Sequence, residues 1–148
     1  MAKVIAVNLS HEKGVVKTTI NEGIFIENHG LKDDAHAGEW HRQVSLLGQE
    51  SVDKIKALGI ENLEAGIFAE NILTEGIILY ELPVGTHLKI GETIHEVTQI
   101  GKKCHHGCEI FQKVGDCVMP REGIFTRVIK GGIVQAGDEI EVITVQDI

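Results

Sequence analysis

Residues 101–108 read GKKCHHGC, placing two thiols and two imidazoles within the five positions 104–108, directly behind Lys102 and Lys103. A cysteine attacks or ligates as the thiolate, and neighbouring ammonium groups favour that form. Cys104 and Cys108 are therefore candidates for a reactive nucleophile or a soft metal ligand. The plain alternative is a small buried hydrophobe flanked by loop histidines, but a polar, glycine-flanked stretch is a poor place to bury a thiol. With Cys117 and one of His105 or His106, the two cysteines would also make four zinc ligands of suitable type. Their spacing lacks a Cys-x2-Cys knuckle, so structural zinc stands as an alternative.

Two other stretches carry charge that could meet a ligand. Residues 33–42 hold Asp33, Asp34, His36, His41 and Arg42. Aspartate and histidine could bind a metal or position a proton, and Arg42 could grip a phosphate through its fork of donors. A solvated turn with Asp side chains capping backbone groups is the plain reading. Trp40 could be a lid over the core or a platform for a planar ligand. In residues 117–132, CVMPREGIFTRVIKGG, Arg121 and Arg127 are candidate anion contacts, whereas Ile124 with Val128 and Phe125 with Ile129 read as the two sides of a strand. Asn71 either holds a loop by hydrogen bonds or faces a ligand.

The charge arithmetic marks the same region. The chain is 148 residues with 14 basic and 22 acidic side chains, a net charge of −8. Residues 99–131 carry six basic and three acidic side chains and all three cysteines, so this island is +3 and the remainder is −11. The overall field argues against nucleic-acid or anionic-membrane binding. Three cysteines without a secretory signal argue against a disulfide framework and for a reducing cytoplasm, and no apolar run approaches a membrane span.

The elements that must position these residues are mostly short strands. Length fits one domain, residues 1–148, burying about 70% of its unfolded surface. Aromatics are 4% while glycines number 17, which suggests an aliphatic core with many turns. Residues 3–9 read as a strand with Ile5, Val7 and Leu9 on one face, followed by extended segments at 14–20 and 23–28. Residues 29–43 are a loop, and 43–47 a strand. The spacing of Val52, Ile55 and Leu58 before Gly59 predicts a short amphipathic helix. Residues 66–72 are ambiguous; 77–82, 87–90 and 93–100 read as strands, 110–114 as a second short helix, and 123–130 and 139–145 as strands. The expected fold is mostly β, a barrel-like domain with one or two short helices. No GxGxxG, GxxxxGK[ST] or GxSxG is present, which argues against a Rossmann enzyme, a P-loop NTPase or a serine hydrolase.

Five blocks in order extend the reading: GLKDDAHAGEWHRQVSLL (30–47), FAENI (68–72), LPVGTHLKIGE (82–92), VTQIGKKCHHGC (97–108), and MPREGIFTRVIKGG with GDEI (119–140). Together they resemble the MOSC domain, named for the carboxy-terminal domain of molybdenum cofactor sulfurases, over nearly the whole chain. The resemblance implies a β-barrel-like fold and a role in molybdenum cofactor chemistry, as a binding or sulfur-carrier protein whose cysteine holds persulfide sulfur or ligates molybdenum. It matches that cysteine to Cys104, after Thr98-Gln99, with Cys108 as the alternative. Lys102, Lys103, Arg121 and Arg127 would accept the phosphate of molybdopterin, with Arg42, His36, His41 and Asn71 bordering the cleft. No room is left for a pyridoxal-phosphate desulfurase domain, so the sulfur would come from a separate cysteine desulfurase or cofactor biosynthesis protein. A small oxidoreductase or sulfurtransferase acting on a bound cofactor is a further alternative.

Overall fold

The computed structural model describes residues 2–13, 15–60, 63–101 and 122–144. Among these residues the strands are β1 (Lys3–Leu9), β2 (Thr18–Ile20), β3 (Glu22–Ile26), β4 (Gly30–Leu31), β5 (Val44–Gly48), β6 (Ile72–Glu75), β7 (His87–Ile90), β8 (Thr93–Ile100), β9 (Ile124–Lys130), β10 (Gly132–Gln135) and β11 (Ile140–Ile143), and the helix α1 spans Gln49–Lys56. Eight strands pair in the order β11-β7-β8-β9-β5-β6-β1-β2, and β10-β3-β4 make a second sheet. The ladders are antiparallel except β5 with β6. A parallel pair needs a crossover, and the chain between these strands supplies it with α1.

The fold is mostly β, as expected, but among the described residues the sheets do not close into a barrel. The two flanks of the large sheet touch at an isolated bridge, Lys3 with Glu139, supported by Val4 N–H donating to Asp138 O at 2.8 Å and Ile140 N–H donating to Ala2 O at 3.0 Å. One bridge is not a ladder, and β2 and the second sheet lie outside it.

Two cores result. Val4, Val7, Phe25, Leu31, Leu46, Ile72, Leu88, Ile124, Val128 and Val134 pack together from both sheets. Ala6, Leu47, Val52, Ile55, Phe68, Leu73 and Phe125 form the second core, beneath α1 and the loop before β6. Ile124 and Val128 on one side of β9 and Phe125 on the other thus face separate cores, as their alternation implies. In β1 the alternation fails: its pairing with β6 shifts between Val4 and Ala6, and this bulge sends Ala6 to the second core and Val7 to the first.

Other differences from the sequence reading have local causes. Val52 and Ile55 are buried on α1, but the helix stops at Lys56 and leaves Leu58 exposed. Residues 77–82 are not a strand: Gly76, at φ 86°, turns the chain after β6, and Leu79–Glu81 form a 3-10 turn that buries Leu79. β10 was not expected, because residues 131–138 are flanked by glycines and Ile133 faces solvent. The expected helix at 110–114 lies outside the described residues. No described helix is long and apolar enough to cross a membrane.

Candidate functional site

The loop between β4 and β5 is organised from beneath by Asp34. Its Oδ1 accepts from Ser10 N–H at 3.1 Å and from Lys17 Nζ at 2.8 Å, and its Oδ2 accepts from His36 N–H at 3.1 Å. Both members of the Lys17–Asp34 ion pair have fully buried side chains. Burial pushes the Asp34 carboxyl up, but the Lys17 ammonium and the two backbone donors outweigh it and hold the group below its ordinary value. Lys17 is fixed in turn by its own N–H donating to Gly66 O at 2.8 Å. Gly66 sits at φ 88°, and a Cβ there would meet Lys17 O at 2.2 Å, so this crossing requires glycine.

Above this base, Trp40 Nε1 donates to His36 O at 2.7 Å and fixes the indole. The Arg42 guanidinium lies 4.6 Å from the Trp40 ring and 5.6 Å from the Phe125 ring, and Lys13 Nζ approaches Trp40 at 5.7 Å. Lys13, His36, Trp40, Arg42 and Phe125 line a cavity of about 230 Å³. No carboxylate is among these lining residues. Arg42 Nε is buried and has no hydrogen-bond partner among the described residues, a property it shares there with Thr74 Oγ1 alone. A buried donor without a partner is costly unless something else completes it.

The described residues that flank the cysteine-bearing stretch lie beside this loop. Gly101 N–H donates to Gly123 O at 2.7 Å, which joins the end of β8 to the start of β9. Thr98 Oγ1 donates to His41 O, and His41 Nε2 meets Gln99 Oε1 at 2.8 Å, tying β8 to the loop. On the return side, Glu122 accepts from Ser51 Oγ at 2.6 Å and from Lys54 Nζ at 2.9 Å, which fastens it to α1. Glu122 and then Tyr80 raise the Lys54 pKa.

The candidate residues thus separate. His36 and Arg42 line the cavity, with Lys13 and Phe125. His41 is beside it, turned toward β8. Arg127 is on β9 with Nε donating to Glu96 Oε1 at 2.6 Å, and is not among the lining residues. Asn71 is buried; its Oδ1 accepts from Ser45 N–H at 3.0 Å and its Nδ2 donates to Asn8 O at 3.2 Å, which is the loop-holding role. Cys104, Cys108, Lys102, Lys103 and Arg121, like the zinc candidates Cys117, His105 and His106, lie outside the described residues. Among the described residues no group of three or more His, Cys, Asp or Glu side chains could hold a metal ion.

The sequence reading missed Lys13 and Lys17, and within Glu70-Asn71-Ile72 it gave a role to Asn71 alone. Glu70 is fully buried, accepting from Gly66 N–H at 2.8 Å and Phe68 N–H at 3.2 Å. Burial raises its pKa to about 7 against these donors and Lys17. Lys13 and Lys17 carry no local signal because their partners, Trp40 and Asp34, are distant in sequence; Glu70 is held by its own loop, and its burial is what the loop's sequence does not show.

Solved structures share this fold. The YUAD protein from Bacillus subtilis is 20% identical with a TM-score of 0.80, covering 96% of each chain. YiiM from Geobacillus stearothermophilus is 17% identical with a TM-score of 0.74, over 97% of this chain and 76% of that one. YiiM from Escherichia coli is 18% identical with a TM-score of 0.70, over 97% and 70%. No curated protein matches the sequence. The family model of the MOSC domain matches residues 33–141, which begin at the loop carrying His36 and Arg42 and end inside β11; the chain belongs to the MOSC domain family.

Proposed function

We propose that the protein binds or carries a component of molybdenum cofactor chemistry, the chemistry with which the MOSC domain is associated. The cavity takes the anionic phosphate of a molybdopterin-type ligand, and Cys104, with Cys108 as alternative, holds persulfide sulfur or ligates molybdenum. The observation that carries this reading is Arg42: a guanidinium stacked between two rings, with a buried unpartnered Nε, in a cavity lined by two further basic side chains. Such a donor set fits a phosphate, because guanidinium and ammonium groups offer donors and no acceptor. When bound, the cofactor supplies the molybdenum and the pterin dithiolene chemistry; Arg42 and Lys13 bind and orient its anionic end.

Sulfur reaches the thiol in a reducing cytoplasm from a separate persulfidated cysteine desulfurase. The Cys104 thiolate attacks the donor's terminal sulfur, one S–S bond forms as another breaks, and the donor thiolate leaves.

The test is retention of molybdopterin and of protein-bound sulfane sulfur by freshly isolated protein. Arg42→Ala is expected to lose the pterin, and Cys104→Ser the sulfur or the metal. Unchanged loading in both variants overturns the reading.

A further inference from the structure

Away from the cavity, His95 on β8 is fully buried against the first core, with the Phe25 ring edge-on at 5.4 Å and Leu88 and Val128 opposite it on β7 and β9. Both ring nitrogens are engaged: Nε2 lies 2.9 Å from Thr93 Oγ1, and Nδ1 lies 3.0 Å from Thr126 Oγ1. Thr93 has one hydroxyl proton and donates it to Ile90 O at 2.7 Å, so towards the ring its oxygen accepts. Nε2 therefore carries the ring proton, Nδ1 is bare, and Thr126 donates to it. The three bonds run in one direction, from β9 through His95 to the carbonyl that ends β7. A second ring proton has no place in this chain. At Nδ1 it would meet the Thr126 hydroxyl, which has no other acceptor among the described residues. No carboxylate among them faces the ring either. Glu22 on β3, His87 and Lys89 on β7, Glu96 on β8 and Arg127 on β9 alternate to the outer face, Lys130 is exposed at the end of β9, and β10 carries no charge. Burial alone pushes the imidazole down, to about 3.

We propose that His95 is an acid-release point built into the sheet: the fold accepts only the neutral Nε2–H ring, and a second proton severs the clasp between β9 and the β7–β8 turn and shifts the protein toward the unfolded chain. An unfolded histidine titrates near 6.5, so the stability that His95 contributes is complete above that value and is lost progressively as pH falls towards 3. This inference is independent of the proposed phosphate site, since none of the three clasp residues lines the cavity.

Nitrogen-15 NMR of the histidine rings in the wild type, with urea unfolding of the wild type and His95→Gln, each at pH 7.5 and pH 5, tests the proposal. Glutamine keeps a donor and an acceptor at the side-chain end and cannot titrate. The His95 ring is expected to show a protonated Nε2 and a bare Nδ1 at both pH values. The unfolding constant of the wild type divided by that of the variant should rise about thirtyfold from pH 7.5 to pH 5, the factor by which protonation near pH 6.5 favours the unfolded chain. Glu70 and Asp34, whose own titrations also bear on stability, are common to both proteins and cancel in this ratio. An Nδ1–H ring, or a His95 that gains its second proton in the folded protein by pH 5, overturns the proposal, and the wild-type spectrum decides this even where the variant fails to fold. A ratio that stays constant overturns the acid release even where the tautomer is Nε2–H.

Discussion

Two concentrations of polar side chains among the described residues differ in whether the protein completes them. Around Glu70 the accounting is closed: Gly66 and Phe68 N–H donate to its carboxylate, Asn8 approaches it at 3.4 Å, and Asn71 bridges Asn8 and Ser45. Around Arg42 it is open: the guanidinium is stacked on rings, and its buried Nε has no partner among the described residues. Both regions reach the same base through Lys17, whose backbone bonds Gly66 and whose side chain bonds Asp34. The closed cluster shapes a loop, and the open one is built to receive something from outside.

Breaking the shared base should have the largest effect. Asp34→Ala leaves the Lys17 ammonium buried without its counter-charge, and chemical denaturation is expected to show a loss of about 3–5 kcal/mol. The closed cluster should then reveal itself through pH. Because the folded pKa of Glu70 is raised to about 7 from 4.5, the native state binds the extra proton between those values, so this group's contribution to stability falls as pH rises through that window. The total is about 3 kcal/mol at most, and Glu70→Gln should flatten this slope in melts at pH 5 and pH 8. The open cluster should respond oppositely. Arg42→Ala breaks no Nε hydrogen bond, so stability should change by about 1 kcal/mol while phosphate affinity, read by titration, drops about tenfold or more. The smallest effect belongs to Arg127. Its bond to Glu96 is a half-exposed surface pair, so Arg127→Ala should cost under about 1 kcal/mol and leave phosphate binding unchanged.

This contrast explains what could be read from the chain. β8 was legible to the residue, and so was β1, because β-branched runs bounded by turn residues need no knowledge of their neighbours. The faces of β1 were not legible, since a bulge against β6 depends on a partner some seventy residues away. Ile77 and Ile78 read as strand, yet the left-handed Gly76 ends the ladder before them. His36 and Arg42 were visible as chemistry-capable types in an aperiodic loop. That Lys17 is buried beneath them was not, because nothing in VVKTT distinguishes an interior lysine from a solvated one.

The joining of the sheet's flanks also bears on folding kinetics. β1 pairs with the nearby β2 on one edge, yet its other ladder partner, β6, begins at Ile72, and its bridge goes to Glu139. β5 must likewise wait for β9, with Val44 opposite Thr126. Contacts of such sequence separation are formed late and against loop-closure entropy, so the chain should refold in the slow, milliseconds-to-seconds range of β-rich topologies. Until the last third arrives, the early strands hold unpaired edges, and that interval is when the nascent chain is most exposed to self-association.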